Sequence, residues 1–394
     1  MTPQPNYRKT LLACYLGFVT QAITANFAPL LFLTFQSTYA LPLEKIALIP
    51  LVFFMTQILV DFAATKFADR IGYRKCVTAS QVLSAAGLAL LALLPDVFAD
   101  PLVGILISVV LYATGAGLIE VLISPIVEAC PFENKDGMMS LLHSFYCWGS
   151  VGVILGSTLF FAVFGIHNWR ILTVIWALIP LLNTFNFITC PIDRLVEDGE
   201  GMQLGQLVRM PLFWLMALLM MCAGASEISM AQWASAFTES AMGVTKTIGD
   251  LVGPCLFAIL MGIARVYYGK MSEKLDLTKT MLGCGALCLC CYLLASLSPS
   301  PFFGLLGCAL CGLSVGIMWP GTLSISAQKC PKGGTVMFAL LALAGDLGGS
   351  LGPSLVGSIS SIAGGNLKYG LFFGAAFPLL LIVGLIVLKK KVRN

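Results

Sequence analysis

Residues 46–75 read IALIPLVFFMTQILVDFAATKFADRIGYRK, an apolar stretch followed by a short basic loop. The apolar stretch has the length of one membrane-crossing helix, because a helix rises about 1.5 Å per residue and the hydrocarbon core is roughly 30 Å thick. The loop gathers positive charge, as cytoplasmic connections between spans do. The pairing of an apolar span with a basic loop predicts a helical membrane protein.

The same pattern extends along the chain in both directions, so that apolar runs alternate with polar gaps. Twelve runs are long enough to span a bilayer. The predicted spans are 10–36, 46–65, 76–94, 102–128, 138–163, 170–189, 211–237, 248–268, 280–297, 302–327, 335–361 and 368–388. We therefore expect an all-α membrane protein with twelve transmembrane helices.

Composition indicates the same class. The 394 residues are 58% hydrophobic and only 11% charged, with a mean hydropathy of +0.92. A soluble domain would carry about 25% charged residues. Short gaps between the spans leave no room for a separate soluble module. The net charge of +4 reflects membrane topology, and nothing in the sequence indicates binding to nucleic acid.

The basic residues predict the orientation. With the amino terminus in the cytoplasm, eighteen of the 23 Lys and Arg residues lie on the cytoplasmic side and four lie outside. Arg265 is left inside a predicted span. This positive-inside bias predicts that both termini are cytoplasmic, in a multi-pass protein of the plasma membrane. The first span is too long for a signal-peptide core and is expected to be retained.

The sequence gives no indication of a metal site, a cofactor or a catalytic centre. Most of the 14 cysteines lie within spans, and the Cys288 to Cys291 spacing falls in an apolar helix, where packing is the favoured interpretation. Neither a GxxxxGK[ST] phosphate loop nor an HExxH motif occurs. We expect a protein that is not an enzyme and that carries no cofactor.

The chain contains an internal duplication. The loop from Thr65 to Lys75 recurs as Gly269 to Lys279, and Cys130-Pro131 recurs as Cys330-Pro331, each about 200 residues later. Two six-helix bundles in the same orientation are a known transporter plan, with the binding site near the middle of the membrane. The predicted division is an N-terminal six-helix bundle over 1–190, a cytoplasmic linker over 191–209 and a C-terminal six-helix bundle over 210–394.

The loop Asp69-Arg70-Ile71-Gly72-Tyr73-Arg74-Lys75, with its weaker copy after the eighth span, resembles the signature loop of the major facilitator superfamily. Thr65 and Tyr73 depart from that signature. Glu120, the stretch from Ser140 to Phe145 and the stretch from Glu227 to Trp233 resemble the fucose-permease-like branch. This resemblance implies a secondary transporter with two pseudo-symmetric bundles, and an essential acidic residue on the fourth helix.

The signature loop is expected to act in gating. Asp69 at a helix end can accept hydrogen bonds from the amino end of a neighbouring helix, near Gly333 to Thr335, and Glu273 is expected to meet the start of the fifth helix near Asp136. A basic loop that only obeys the positive-inside bias is the alternative. The predicted gating residues are Asp61, Asp69, Arg70, Gly72, Arg74, Lys75, Arg265, Glu273 and Lys274.

Ionisable residues inside spans are costly and therefore mark functional sites. Glu120 is the first candidate for proton coupling, because a buried carboxylate can titrate near neutral pH. Glu227, His143 and Asp346 are the further candidates, and His143 has a reference pKa near 6.5. A static contact between helices remains the alternative for each of the four.

Amide and aromatic side chains in the spans suggest the solute. Amides offer the paired donors and acceptors that hydroxyl groups require, and indole rings offer flat faces to sugar C–H groups. The predicted substrate-binding residues are Gln21, Asn26, Trp148, Gln232, Trp233 and Trp319. Each Trp can equally be a packing residue.

The sequence thus predicts a monomeric secondary active transporter whose partners are a small polar solute, protons and the lipid bilayer. The solute is expected to be a sugar or polyol that moves with protons by alternating access. A proton-driven exporter of amphipathic drugs or metabolites is the alternative. A channel and a membrane-embedded enzyme are disfavoured, because duplicated halves with buried acids suit alternating access better.

Overall fold

A computed structural model describes residues 6–46, 48–196, 201–242 and 251–393. Within these ranges every regular element is a helix. Residues 197–200 of the predicted linker, and residues 243–250 ahead of and at the start of the eighth predicted span, lie outside the described residues.

The helices of the first half follow the predicted spans closely. They are α1 (Tyr7–Leu30), α2 (Leu48–Ile71), α3 (Tyr73–Leu91), α4 (Pro101–Ala129), α5 (Lys135–Phe164) and α6 (Trp169–Thr189). Short helices or turns fill the connections at Phe32–Tyr39, Leu43–Ile46, Leu94–Val97 and Ile166–Asn168.

The second half repeats this order. Its helices are α7 (Pro211–Met242), α8 (Leu256–Met271), α9 (Leu277–Leu297), α10a (Pro301–Val315), α10b (Met318–Lys329), α11 (Gly334–Ile362), α12a (Leu367–Gly374) and α12b (Ala376–Arg393). Shorter elements are Leu204–Leu207, the π-helical turn Leu251–Cys255, Ser272–Lys274 and Pro331–Gly333.

Ten helices in the described part of the chain are long and apolar enough to cross a membrane. The other two predicted spans contain α3, with 19 residues, and α8, with 16 residues. Helix α3 begins with the charged residues Arg74 and Lys75, and α8 follows the residues outside the description. Because apolar helices of span length recur throughout, the chain is a multi-pass membrane protein.

Two predicted spans are interrupted close to a proline. The first predicted span ran to residue 36, but α1 contains Pro29 and ends at Leu30, and a new helix begins at Phe32. The tenth is interrupted between α10a and α10b, just before Pro320. Proline has no N–H and its ring clashes with the carbonyl four residues earlier, so it kinks or breaks a helix.

The chain forms two compact units. The first comprises Met1–Pro131, Phe145–Gly201 and Gly334–Ala339, and its apolar core includes Phe27, Tyr112 and Trp169. Asp100 caps helix α4 of this unit, where it accepts a hydrogen bond from the Leu102 amide. This bond and the nearby Lys45 ammonium hold the pKa of the Asp100 carboxyl below its ordinary value.

The second unit comprises Phe132–Ser144, Met202–Gly333 and Leu340–Asn394. Glycines bring its helices into backbone contact, because a side chain at these positions would collide with the neighbouring helix. Gly348 of α11 lies against the Met221 carbonyl of α7, and Gly224 of α7 lies against the Gly345 carbonyl of α11. The predicted division at the linker over 191–209 stays a prediction.

Candidate functional site

Glu120 lies in the interior of the first unit, where two amides meet its carboxylate. The Nε2 groups of Gln21 on α1 and Gln57 on α2 both donate to its Oε2, at 2.8 Å and 3.1 Å. Both glutamines are buried, while Glu120 is half-buried. Hydrogen bonds to an ionised acceptor are about twice as strong as neutral ones, so these amides stabilise the carboxylate form. Three helices are thereby joined at one carboxylate.

Other polar side chains of α1 are also engaged. The Nδ2 of Asn26 donates to the Ala22 carbonyl at 2.9 Å and to the Ser150 hydroxyl of α5 at 3.1 Å. Thr20 donates to Oε1 of Gln81 on α3, at 3.1 Å. Thr20, Gln21 and Asn26 of α1 therefore contact α3, α4 and α5 respectively.

A buried ion pair lies in the second unit. The guanidinium of Arg265 on α8 is 3.2 Å from Oε2 of Glu227 on α7. The two side chains are 3% and 10% exposed, so water screens the pair little. Removing one member of such a pair leaves an uncompensated buried charge, which makes the two residues mutually dependent.

Arg265 also binds two backbone carbonyls. Its Nε donates to the Gly316 carbonyl at 2.8 Å and its Nη1 donates to the His143 carbonyl at 3.0 Å. The Gly316 carbonyl would ordinarily accept from the residue four positions later, but that residue is Pro320, which has no N–H. Arg265 thus satisfies the acceptor that Pro320 leaves open.

The start of α5 is fastened to α8 in the second unit. Ser140 donates to the Arg265 carbonyl at 2.8 Å, in return for the bond from Arg265 to His143. His143 itself is buried. His143, Glu227 and Arg265 therefore lie at one place. From the sequence, His143 and Glu227 were assigned to proton coupling and Arg265 to gating.

Three of the predicted substrate-binding residues, Gln232, Trp233 and Trp319, lie in the second unit. Trp233 donates from Nε1 to the Pro353 carbonyl at 3.1 Å, and the ring of Trp319 lies against Gly345. Gln232 and Trp148 are exposed, the latter by 38%. Of the remaining acidic candidates, Asp61 is fully buried on α2 and Asp346 is half-buried on α11.

The signature loop lies against the first residues of α11. Thr335 donates to Oδ1 of Asp69 at 2.8 Å, and the Tyr73 hydroxyl contacts the same Thr335 hydroxyl. This is the contact expected for Asp69 from the sequence, although its gating role stays a prediction. Gly72 has φ of +94°, a left-handed conformation that glycine adopts without strain.

The basic residues of the loop differ in what they contact. Arg74 donates from Nη1 to the carbonyls of Phe187 and Ile188 at 2.9 Å and 2.8 Å, at the end of α6. These carbonyls belong to the last turn of a helix, where a cation is favoured by the unpaired acceptors. Arg70 and Lys75 are exposed.

In the second copy of the loop, Ser272 makes a contact near the start of α5. Glu273 and Lys274 are exposed in the turn after α8, and the neighbouring Ser272 donates to Oδ1 of Asn134 at 2.8 Å. Asp136 accepts two hydrogen bonds from Gln328, at 2.8 Å and 3.0 Å. The expected contact of Glu273 with the start of α5 stays a prediction.

Replacing Thr335 by Val tests the contact with Asp69. The valine keeps the shape but removes the hydroxyl, so we expect a loss of about 1 kcal/mol in the free energy of unfolding. Thermal unfolding of the purified protein measures this loss. Thr114→Val is the matched control, because the Thr114 hydroxyl is exposed and donates within its own helix to Val110. Equal effects of the two changes would contradict the assignment.

Several participants in these contacts were not predicted from the sequence, among them Gln57 and the Gly316 carbonyl. Gln57 was not predicted, although it lies one helical turn before Asp61. The Gly316 carbonyl was overlooked because backbone acceptors have no sequence signal of their own. Pro320, four residues later, is the signal that could have found it.

Comparisons with known proteins agree with this architecture. The sequence model of the Major Facilitator Superfamily matches residues 13–353 and 256–393. No curated protein matches the chain.

Three solved structures are similar to this chain over nearly its full length. A structure of the E. coli fucose:proton symporter FucP has a TM-score of 0.80 at 16% identity, covering 96% of this chain and 98% of that one. The proton:xylose symporter XylE has a TM-score of 0.80 at 11% identity, covering 95% and 94%. The human organic anion transporter MFSD10 has a TM-score of 0.75 at 15% identity, covering 97% and 100%.

The family match extends over almost the whole chain, and the solved structures share its fold at low identity. The described helices follow the twelve predicted spans, and the signature loop adopts a defined contact with α11. The chain therefore belongs to the Major Facilitator Superfamily and is a membrane transporter with the fold of that family.

Proposed function

We propose that this chain is a secondary active transporter that carries a sugar or polyol together with protons by alternating access. In this proposal it acts as a monomer in the plasma membrane, with both termini in the cytoplasm. Two of the similar structures are sugar and proton symporters by description, which supports a cargo of this class.

The paired amides on Glu120 are the observation that carries the proposal. An ionisable group inside a membrane span needs a partner, a water-filled cavity or a proton. Glu120 has a partner for its charged form in Gln21 and Gln57, and its neutral form needs no counter-charge. A carboxyl group with two acceptable charge states can take up and release a proton during the transport cycle.

Glu227 is less suited to carry the proton. Its carboxylate compensates the buried guanidinium of Arg265 at 3.2 Å, and protonation would leave that cation without its counter-charge. We propose that Glu227 and Arg265 form a fixed pair that holds α7 and α8 to the start of α5. His143 and Asp346 remain candidates for a second proton step.

The cargo class is supported by the residues near the proposed proton site. Gln21 and Asn26 occupy one helix with amide groups, which can bind hydroxyl groups as donor and acceptor together. Gln232 and the rings of Trp148, Trp233 and Trp319 are proposed to add contacts to the solute. The loop residues Asp69, Gly72 and Arg74 are proposed to control gating.

Uptake of a panel of labelled sugars and polyols into proteoliposomes tests the proposal. We expect at least one member to accumulate when the outside is acidic, and not to accumulate when a protonophore removes the gradient. Accumulation with an imposed sodium gradient alone, or equal entry of all solutes without a gradient, would contradict proton symport.

A second candidate function is export of amphipathic organic compounds. Its support is the similarity to the human organic anion transporter MFSD10 over 97% of this chain. The same vesicles loaded with a fluorescent amphipathic dye distinguish the two functions. Proton-driven dye movement without sugar accumulation would favour export.

A further inference from the structure

Gln21 and Gln57 donate to the same oxygen of Glu120, but the two amides are not equivalent. The Oε1 of Gln21 is buried and has no hydrogen-bond partner among the described residues, whereas no such orphan is found at Gln57. A buried acceptor without a donor is destabilising, so the present position of the Gln21 amide is held against a cost. Glu120 supplies the compensation, through the bond of 2.8 Å from Nε2.

The Gln21 amide lies with its nitrogen 2.8 Å from Oε2 of Glu120. This orientation suits an ionised carboxylate, because an ionised carboxylate only accepts hydrogen bonds. A protonated carboxyl group carries an O–H donor and keeps less acceptor capacity. Protonation of Glu120 therefore no longer favours the present orientation of the Gln21 amide. It also supplies an O–H donor for the Oε1 of Gln21.

We propose that the Gln21 amide group rotates when Glu120 takes up a proton, so that its Oε1 accepts a hydrogen bond from the carboxyl O–H. Gln57 retains its hydrogen bond to Glu120. The inference rests on the proposed function, in which Glu120 is the proton site. This rotation places the Nε2 donor of Gln21 where its Oε1 acceptor had been, at the buried position beside Glu120. A cargo oxygen that reaches this position meets a donor only after protonation, which couples the proton to the solute.

The charged groups on the helices around Glu120 include Asp61 of α2 and Glu128 of α4 itself. Asp61 of α2 is buried, with Oδ1 3.5 Å from the Cβ position of Gly117, one turn from Glu120 on α4. The charged residues of α1 and α3, namely Arg8, Lys9, Arg74 and Lys75, are exposed at the starts of their helices. Asp61 and the half-buried Glu128 of α4 are therefore the carboxyl groups that any measurement on Glu120 must resolve separately.

Labelling with dicyclohexylcarbodiimide reports the protonated form of a buried carboxyl group. The acid proton moves to one nitrogen of the reagent and the carboxyl oxygen bonds to its central carbon. The acyl group then migrates to nitrogen and gives a stable N-acylurea, an addition with no leaving group. Peptide mass spectrometry of the full-length protein separates the peptides of Glu120 and Asp61, and Glu120→Gln gives the background.

The matched variants Gln57→Met and Gln21→Met test the rotation of the Gln21 amide. Gln57→Met removes a donor that favours the carboxylate, so we expect the initial labelling rate of Glu120 at neutral pH to rise about fivefold. Gln21→Met removes a donor from the charged form and an acceptor from the neutral form, so the two losses change the labelling rate in opposite directions. We expect its labelling rate to stay within about twofold of the parent.

Each outcome decides a different part of the account. An equal rise of the labelling rate in both variants would show that Gln21 is only a donor. That result would contradict the rotation of the Gln21 amide while leaving Glu120 as the proton site. Absence of labelling in the parent and in both variants would overturn the proton site itself. Gln57→Leu and Gln21→Leu replace any methionine variant that does not purify as a folded protein.

Discussion

The Glu120→Gln variant is expected to lose accumulation of labelled sugar driven by a proton gradient, while it keeps part of its counterflow exchange. The glutamine side chain has the size of the neutral acid but cannot release a proton. A ligand or proton shifts a conformational equilibrium only by its differential affinity for the two states. Without a proton to bind, the pH gradient has no means of biasing the cycle, whereas cargo exchange needs no gradient.

Glu128→Gln is the matched control for this prediction. Glu128 lies on the same helix, eight residues after Glu120 and two positions before the helix cap at Cys130, and it is half-buried. We expect this variant to accumulate sugar to at least half of the parent level. Equal accumulation by Glu120→Gln and the parent would remove Glu120 from the proposed role, and equal loss in both variants would indicate a general effect on α4.

Arg265→Met is expected to give the largest loss of stability of any single change considered. The methionine fills much of the space but leaves Glu227 as a buried charge and the Gly316 carbonyl without its donor. Breaking a buried ion pair by removing one partner costs about 3–5 kcal/mol. Thermal unfolding in lipid nanodiscs, followed by tryptophan fluorescence, measures the loss against the parent.

The double variant Arg265→Met with Glu227→Met separates the charge from the packing. Replacing both members of a buried pair by apolar residues is often neutral, because neither charge is left alone. We expect the double variant to recover about half or more of the loss. A double variant no more stable than Arg265→Met would show that the lost carbonyl contacts, rather than the ion pair, dominate.

Much of the fold follows from sequence patterns that act over one helix at a time. Span length and apolarity place α4, α5 and α9 within a few residues of their predicted positions. The duplication and the signature loop at Asp69 indicate the family, and the family match confirms it. Span length and the signature loop are local features and the duplication is a repeat within the chain, so a single sequence is enough to find all three.

The helix interruptions depend on context and were not predicted. Pro29 lies one residue before the end of α1, whereas Pro125 lies well inside the continuous helix α4. A proline removes the same backbone donor in both places, and the outcome depends on whether a neighbour satisfies the freed carbonyl. At Gly316 that neighbour is Arg265, which is 51 residues away in sequence.

The candidate site, like the fold, was predicted from the sequence only in part. The cost of a charge in the membrane draws attention to Glu120, Glu227 and Arg265 one by one. Their partners are set by how helices pack, so the sequence separated Arg265 as a gating residue from Glu227 as a proton carrier. In the structure Arg265 and Glu227 form an ion pair at 3.2 Å, and Glu120 accepts hydrogen bonds from the amides of Gln21 and Gln57.

The pH of a lightly buffered medium, recorded while sugar is added to de-energised cells that produce the protein, tests the coupling of proton to cargo most directly. We expect a rise in external pH with the parent, because protons enter with the sugar, and no rise with Glu120→Gln although labelled sugar still exchanges. A rise of equal size in Glu120→Gln, or sugar uptake by the parent with no change in pH, would contradict this coupling.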